Sequence, residues 1–227
     1  MTKYKIFLLV SFAAVWIWAA CGPLYPQDWL LENYLTFVFI PVIFILGRYF
    51  KLSNVSYTLI AVFMILHTVG SHYSYSEVPF GETLKHWLNS DRNMYDRLVH
   101  FSFGLLMAYP TREVLIRVSK TKGFWSYYFP IDLVAALSAL YEIIEWLSVQ
   151  NVSAELGNSF LGMQGDVWDA QKDMLLAITG ACLAMLIVSI INLTLDKKEF
   201  WKEFKESFKI EKYDKPLGEE KIAELLK

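Results

Sequence analysis

Long blocks of apolar residues alternate with short polar segments along most of the chain. Each block comes close to the roughly 20 residues that an α-helix needs to cross a bilayer. The pattern therefore predicts an all-α, polytopic integral membrane protein, with six transmembrane helices in residues 1–195. The six predicted spans cover residues 5–20, 31–50, 57–73, 96–118, 127–149 and 168–193.

Composition supports a membrane protein and narrows its partners. The sequence is 55% hydrophobic and 16% aromatic, above the usual values for soluble proteins. A net charge of −2 gives no indication of nucleic-acid binding, so membrane lipids are the expected partners and nucleic acid is not. Cys21 and Cys182, the two cysteines, lie far apart in the sequence, which favours neither a structural disulfide nor a metal or redox site.

The first block has some features of a cleaved signal peptide. Lys3 and Lys5 lie at its start, and WAAC at residues 18–21 is similar to a lipoprotein cleavage sequence. However, Trp18 occupies a position where a small aliphatic residue is expected. We therefore interpret the block as a retained first span.

The last segment, residues 196–227, is highly charged with both signs. Phe200, Phe204 and Phe208 recur every four residues beside Trp201, and lysines fill the other face. This spacing is typical of a short amphipathic helix that rests on the membrane surface. A solvated helix without a partner explains the same spacing equally well.

Basic residues predict the orientation of the spans. With the N-terminus inside, four of the 21 lysines and arginines fall on the outer side: Lys85, Arg92, Arg97 and Lys172. Because cytoplasmic segments are enriched in basic residues, we expect both termini and the charged tail in the cytoplasm.

This topology brings acidic residues and histidines from four helices to the same outer depth. Several of them also share a helix face, since residues three, four or seven apart are neighbours on a helix. The candidate residues are His67, Asp96, His100, Glu142, Glu145, Asp166, Asp169 and Asp173.

So many carboxylates in one site of low dielectric must be neutralised. Shared protons, counter-ions such as Arg97 or Lys172, and a bound divalent cation are three solutions. We favour the cation, because it explains why histidines and acids occur together; these ligands fit zinc, manganese and magnesium. The predicted metal ligands are His67, Asp96, His100, Glu142, Asp166, Asp169 and Asp173. Glu145 is the predicted general base on metal-bound water, and Arg97 is predicted to bind an anionic headgroup.

Two other interpretations of the cluster stay open. Polar side chains inside a membrane can tie helices together by hydrogen bonds, and they also mark proton or ion pathways. Against a pathway, the inner halves of the predicted spans carry almost no charge. The spacing of Asp166, Asp169 and Asp173 is similar to the DxxDxxxD motif of UbiA-type prenyltransferases, but the second Asp-rich motif of those enzymes is missing here.

Three motifs resemble those of the VanZ-like membrane proteins: DRLVHFSFG at 96–104, ALYEIIEW at 139–146 and GDVWDAQKD at 165–173. The resemblance is closest to the YjdF-like bacterial inner-membrane proteins. It covers about residues 1–193, with a VanZ-like core at about 57–193. Glu145 stands where the family has glutamine, and Asp173 where it usually has asparagine.

The resemblance implies a bacterial inner (plasma) membrane location and a role in the cell envelope, without implying a particular reaction. With the polar cluster, it leads us to expect a metal-dependent hydrolase or transferase. Such an enzyme would act at the outer face on a lipid or envelope-linked substrate. The alternatives are a transporter or proton/ion-pathway protein, and a non-catalytic membrane partner in which the cluster holds helices together.

Overall fold

The computed structural model describes residues 2–49, 51–150, 164–210 and 219–226, and all regular secondary structure in these ranges is helical. The all-α prediction is therefore confirmed. Residues 211–218 of the predicted tail lie outside the described ranges. The helices are α1 (Lys3–Ala20), α2 (Pro26–Tyr49), α3 (Asn54–His72), α4 (Pro79–Leu88), α5 (Tyr95–Val118), α6 (Trp125–Val149), α7 (Asp169–Leu195), α8 (Lys197–Glu206) and α9 (Glu219–Leu225).

In the described ranges, five helices are long and apolar enough to cross a membrane: α1, α2, α3, α6 and α7. The helix α5 is not among them, although its 24 residues extend about 36 Å, more than the thickness of a hydrocarbon core. Charged residues at both of its ends, such as Asp96, Arg97, Arg112 and Glu113, lower its mean hydropathy. The described residues thus contain five candidate spans, and the sixth crossing stays a prediction.

Successive long helices run in opposite directions. The N–H of Leu24, just after α1, donates to the carbonyl of His72 at the end of α3 (3.0 Å). At the start of the same two helices, the hydroxyl groups of Tyr4 and Thr58 lie 2.6 Å apart. The hydroxyl of Tyr95 at the start of α5 donates to the carbonyl of Leu66 near the end of α3 (2.9 Å), and the first turns of α5 contact the start of α7 and the later part of α6. The helices α1, α3 and α6 therefore end, and α2, α5 and α7 begin, on one side of the bundle. We call that side the site end and the other side the opposite end.

The helices α5 and α7 pack closely because small residues face each other. A Cβ at Gly104 would overlap the carbonyl oxygen of Ala177, and one at Gly180 would overlap the carbonyl oxygen of Phe101. Small residues allow helix backbones in membranes to approach in this way. The contact fixes the relative position of the polar residues that precede it on both helices.

A separate apolar cluster fills the bundle between α1, α3 and α5. It includes Phe12, Ile60, Phe63, Met64 and Met107, all of them buried. The cluster lies between the polar groups of the two ends, and it therefore separates them with a layer of apolar side chains.

The tail helix α8 folds back onto the beginning of α6. The rings of Phe204 and Phe208 lie 5.9 and 5.2 Å from the ring of Phe124. The indole N–H of Trp125 donates to the carbonyl oxygen of Ser207 at 2.8 Å. The amphipathic helix expected from the aromatic spacing is present. Part of its aromatic face packs against α6, a contact that neither interpretation of the tail included.

Candidate functional site

A cavity of about 450 Å³ lies at the site end between α2, α3, α5, α6 and α7. Polar and apolar side chains both line it. All of the site residues predicted from the sequence, except Arg97 and Asp166, belong to this lining. Its polar part includes Glu32, His67, Tyr75, Asp96, His100, Tyr141, Glu142, Glu145, Asp169 and Asp173.

Asp96, His100 and Asp173 form the group in the described residues that is best placed to hold a cation. A carboxylate oxygen or imidazole nitrogen of each lies within 4.8 Å of the ligand atoms of the other two. Asp96 and His100 are one turn apart on α5. Asp173 lies beside them because α7 packs tightly against α5 at Gly104. A mixed set of oxygen and imidazole ligands suits a divalent metal.

Glu142 adds another donor at the edge of this group. Its Oε1 lies 3.7 Å from Nε2 of His100, and Oδ1 of Asp96 lies 3.5 Å from the same nitrogen. Within the described part of the chain, the buried Oε1 of Glu142 accepts no hydrogen bond. Because a buried oxygen that accepts no hydrogen bond costs free energy, a cation or a substrate donor at this point would stabilise the site. Glu145, one turn further along α6, lines the same cavity.

Arg97 is a counter-ion for the aspartates of α7. Its Nη2 donates to Oδ1 of Asp169 (2.6 Å) and Oδ2 of Asp166 (3.1 Å), and its Nη1 donates to the carbonyl of Asp169 (3.0 Å). Nη1 also lies 2.8 Å from Oδ1 of Asp173, in an ion pair without hydrogen-bond geometry. Arg97 is 6% exposed. Buried charges of this kind persist when they are paired. The predicted binding of an anionic headgroup by Arg97 stays a prediction.

A second arginine, Arg92, joins the cluster from the connection between α4 and α5. It forms an ion pair with Asp169, and its Nη2 donates to Oδ2 of Asp96 at 3.3 Å. Burial opposes the charge of Arg92, but the hydrogen bond with Asp169 and the nearby carboxylates raise its pKa above the ordinary value. Arg92 therefore stays charged and ties the start of α5 to the start of α7.

Asp166 lies in the turn that leads into α7. Lys172 donates to its Oδ2 at 2.6 Å, and the backbone N–H of Trp168 donates to its Oδ1 at 3.1 Å. These hydrogen bonds lower the pKa of Asp166 below its ordinary value. Both counter-ions considered from the sequence, Arg97 and Lys172, thus contact Asp166, and its role as a metal ligand stays a prediction.

His67 lies in a different part of the cavity lining. Its Nδ1 is 2.5 Å from the hydroxyl of Tyr75, and its Nε2 is 3.3 Å from the carbonyl oxygen of Glu32. The carboxylate of Glu32 accepts a hydrogen bond from the hydroxyl of Tyr141 at 2.8 Å. His67 does not belong to the group of three ligand atoms described above, and its predicted ligand role is untested.

Sequence reasoning missed Glu32, Tyr75 and Tyr141. Glu32 does carry a sequence signal, because an acidic residue at the start of an apolar block marks a functional site by default. The two tyrosines carry none, since aromatic residues are common throughout this chain.

The apolar lining of the cavity reaches the outer surface of the bundle. Leu137, Leu140 and Ile144 of α6 line the cavity and are also 44–58% exposed. Tyr141 lies among them and contacts α2 through Glu32. The cavity therefore lies close to the outer surface of the bundle beside α6.

Comparisons with known proteins identify membrane proteins as relatives. The family model described as "Predicted membrane protein (DUF2238)" matches residues 4–193. The "Inner membrane protein YjdF" of Escherichia coli (strain K12) is 36% identical over 162 residues, which are 71% of this chain and 77% of that protein. No solved structure matches the chain. The YjdF-like resemblance is confirmed, and the wider resemblance to VanZ-like proteins stays a prediction.

Proposed function

We propose that this chain, which belongs to the DUF2238 family of predicted membrane proteins, is a metal-dependent enzyme of the bacterial inner membrane. One divalent cation (zinc, manganese or magnesium) would be held by Asp96, His100 and Asp173. The substrate would be a lipid or another envelope-linked molecule. The name of the E. coli relative, an inner membrane protein, supports the location.

The convergence of three ligand atoms beside a cavity is the observation that carries this proposal. Asp96, His100 and Asp173 come from two helices, and their ligand atoms approach within 4.8 Å at the edge of a cavity of about 450 Å³. A catalytic metal site needs protein ligands on one side and an open position for water or substrate on the other. The cavity supplies that open side, with Glu142 close enough to His100 to complete the ligand set.

Glu145 is the residue proposed to move a proton. It lines the cavity one turn from Glu142, so it faces the space in which a metal-bound water would lie. A carboxylate in such a position accepts the proton of the attacking water, and the metal makes that water a stronger acid. The contacts of Arg97 with Asp169 and Asp173 favour a positioning role for this arginine, since they leave its guanidinium buried.

The apolar part of the cavity favours a substrate with a hydrocarbon chain. Leu137, Leu140 and Ile144 connect the cavity to the lipid-facing surface. A substrate with an acyl or prenyl chain would enter between α6 and α2 and present its polar end to the carboxylates. Ligand sites commonly combine an apolar lining with a few polar groups in this way.

We also propose that α5 is the sixth span and that the site end faces away from the cytoplasm. The alternating direction of the long helices requires α5 to return from the site end to the opposite end. Its charged termini lie at the two ends of the bundle, where such residues have access to water or counter-ions. The lysine and arginine distribution supports a cytoplasmic location for the opposite end, with the N-terminus and the tail.

Metal content of the full-length protein, purified in detergent without chelators, tests the proposed function. By elemental mass spectrometry, the wild type is expected to hold about one divalent ion per chain, and His100→Ala and Asp173→Asn are expected to lose it. His86→Ala and Asp91→Asn are matched controls, because these residues are exposed and lie outside the cavity lining.

Turnover of envelope lipids by the metal-loaded protein completes the test. Glu145→Gln is expected to keep the metal and to reduce turnover about 10²- to 10⁴-fold, the usual contribution of a general base. Metal-free but equally folded wild type and variants would overturn the metalloenzyme proposal. If acid-to-amide changes then altered stability alone, the cluster would be interpreted as contacts that hold the helices together. If these changes altered proton movement, the pathway interpretation would gain support.

A further inference from the structure

A second cavity lies at the opposite end of the bundle, and the proposed function does not use it. It is a groove of about 490 Å³ between α1, α2 and α3. Much of its lining is apolar and includes Leu8, Phe12, Ile43, Ile60 and Ala61. This volume is within the usual range of about 300–1,000 Å³ for small-molecule sites. Because the groove follows three helices of the membrane domain, its shape suits an extended chain.

The mouth of this groove is basic. Lys5 on α1, Arg48 near the end of α2 and Lys51 just after α2 all belong to its lining. The Nζ of Lys5 lies 3.8 Å from the centre of the Tyr57 ring. In the described part of the chain, none of these three cations forms an ion pair with a carboxylate. We call this cavity the basic groove.

Glu113 is an acidic neighbour at this end, and its carboxylate already has donors. The N–H of Ser53 donates to both of its oxygens (2.8 and 2.9 Å), and the hydroxyl of Ser56 donates at 2.6 Å. Arg117 donates to it at 2.8 Å. Glu113 does not line the groove, and neither does any other acidic residue of the described ranges. The mouth therefore carries an excess of positive charge.

We propose that the basic groove binds one anionic phospholipid from the membrane leaflet at the N-terminal end of α1. Its phosphate would lie among Lys5, Arg48 and Lys51, and one acyl chain would follow the apolar lining of the groove. Basic pockets between transmembrane helices attract anionic headgroups. A zwitterionic lipid would compensate the three positive charges less well, so the groove selects for headgroup charge.

Competition between two lipids tests this proposal on the full-length protein. Phosphatidylglycerol and phosphatidylethanolamine with identical acyl chains are mixed in equal amounts with the detergent-solubilised protein. After size-exclusion chromatography, the retained lipid is measured by mass spectrometry. Wild-type protein is expected to retain about one phosphatidylglycerol per chain and at least about tenfold less phosphatidylethanolamine. Equal retention of the two lipids would overturn the proposal.

Variants identify the groove as the binding site. The triple change Lys5→Gln, Arg48→Gln and Lys51→Gln is expected to lower phosphatidylglycerol retention at least about tenfold. Ala61→Trp is expected to lower it as well, because the indole fills the path of the acyl chain. The matched control is Lys120→Gln with Lys122→Gln, which changes two exposed basic residues of the α5–α6 connection outside the groove.

Three results would contradict the assignment. Unchanged phosphatidylglycerol retention in the triple variant would show that the three groove cations do not bind the lipid. An equal loss of retention in the control variant would show that general surface charge binds it. Displacement by an excess of soluble glycerol phosphate would identify a phosphate site without an acyl-chain site. If the triple variant aggregates, Arg48→Gln alone decides, since Arg48 is exposed: about a threefold loss supports the groove, and no loss overturns it.

Discussion

Arg97 is the residue on which the charge balance of the site end depends most. Arg97→Met keeps much of the apolar stem but leaves Asp169 and Asp173 buried without this counter-ion. Breaking a buried ion pair by removing one partner costs about 3–5 kcal/mol, so we expect the unfolding free energy to fall by about that amount. The unfolding free energy of Arg97→Lys should lie between those of the wild type and Arg97→Met, because an ammonium group cannot form the forked contact of a guanidinium. Chemical unfolding in detergent micelles measures these differences.

Arg117→Met is the matched control for this change. Arg117 pairs with Glu113 near the other end of the same helix, and its side chain is 45% exposed. Exposed ion pairs contribute about 0–1 kcal/mol, so the control should lose little stability. Similar losses at Arg97 and Arg117 would contradict a special role for the buried arginine.

The sequence predicts the individual site residues where their type is rare inside a membrane. Asp96, His100 and Asp173 stand out for this reason, and the structure brings them together. The role of Arg92 is different, because it depends on a contact with Asp169, 77 residues away. A contact over such a separation follows from how α5 packs on α7, and no local spacing encodes it.

At the scale of helices, the approach of α5 to α7 determines the geometry of the candidate site. Gly104→Ala would push a methyl group into the Ala177 carbonyl of α7. Overpacking of this kind costs about 1–3 kcal/mol. It would also shift Asp173 relative to Asp96, so we expect both a lower unfolding free energy and weaker metal retention. The same unfolding and metal measurements test this variant.

Gly47→Ala provides the comparison, since Gly47 is also a glycine inside a long apolar helix. A Cβ there meets only the hydroxyl of Tyr57, at 3.3 Å, and a side-chain end can shift. Gly47→Ala should lower the unfolding free energy less than Gly104→Ala does, and it should not change metal retention. Loss of metal in both variants would mean that the site responds to any perturbation of the bundle.

The hydropathy pattern predicts the long helices well and their ends less well. The second helix begins at Pro26, five residues before the predicted start at 31, because its first turns contain polar residues such as Asp28. These residues lower the hydropathy without preventing a helix, and proline favours a first helical position. The short helix α4 lies in a segment too polar to span, where hydropathy gives no helix signal.

The two cavities lie at opposite ends of one bundle. The site cavity is rich in carboxylates, whereas the basic groove has cations at its mouth. Phe39 and Met64 contribute to both linings, so a thin apolar layer separates them. This layer argues against a continuous polar pathway through the described residues.

Whether α5 makes a sixth crossing needs its own test, because its charged ends exclude it from the apolar spans of the described residues. Asp91 and Lys120 are exposed on either side of this helix, so Asp91→Cys and Lys120→Cys report on its crossing. The native Cys21 and Cys182 are exposed and must first be replaced by serine. With a membrane-impermeant maleimide, we expect labelling of Asp91→Cys in intact cells, and of Lys120→Cys only after permeabilisation.

The other labelling patterns each contradict one part of the proposed topology. Labelling of both positions from the same side would show that α5 does not cross, and the alternation of the bundle would then be wrong. Labelling in the reverse order would keep six crossings and place the site end in the cytoplasm. In that case the carboxylates around His100 would face lipids of the cytoplasmic leaflet, and the basic groove would face the outer one. Substrates would then have to be sought among cytoplasmic lipids.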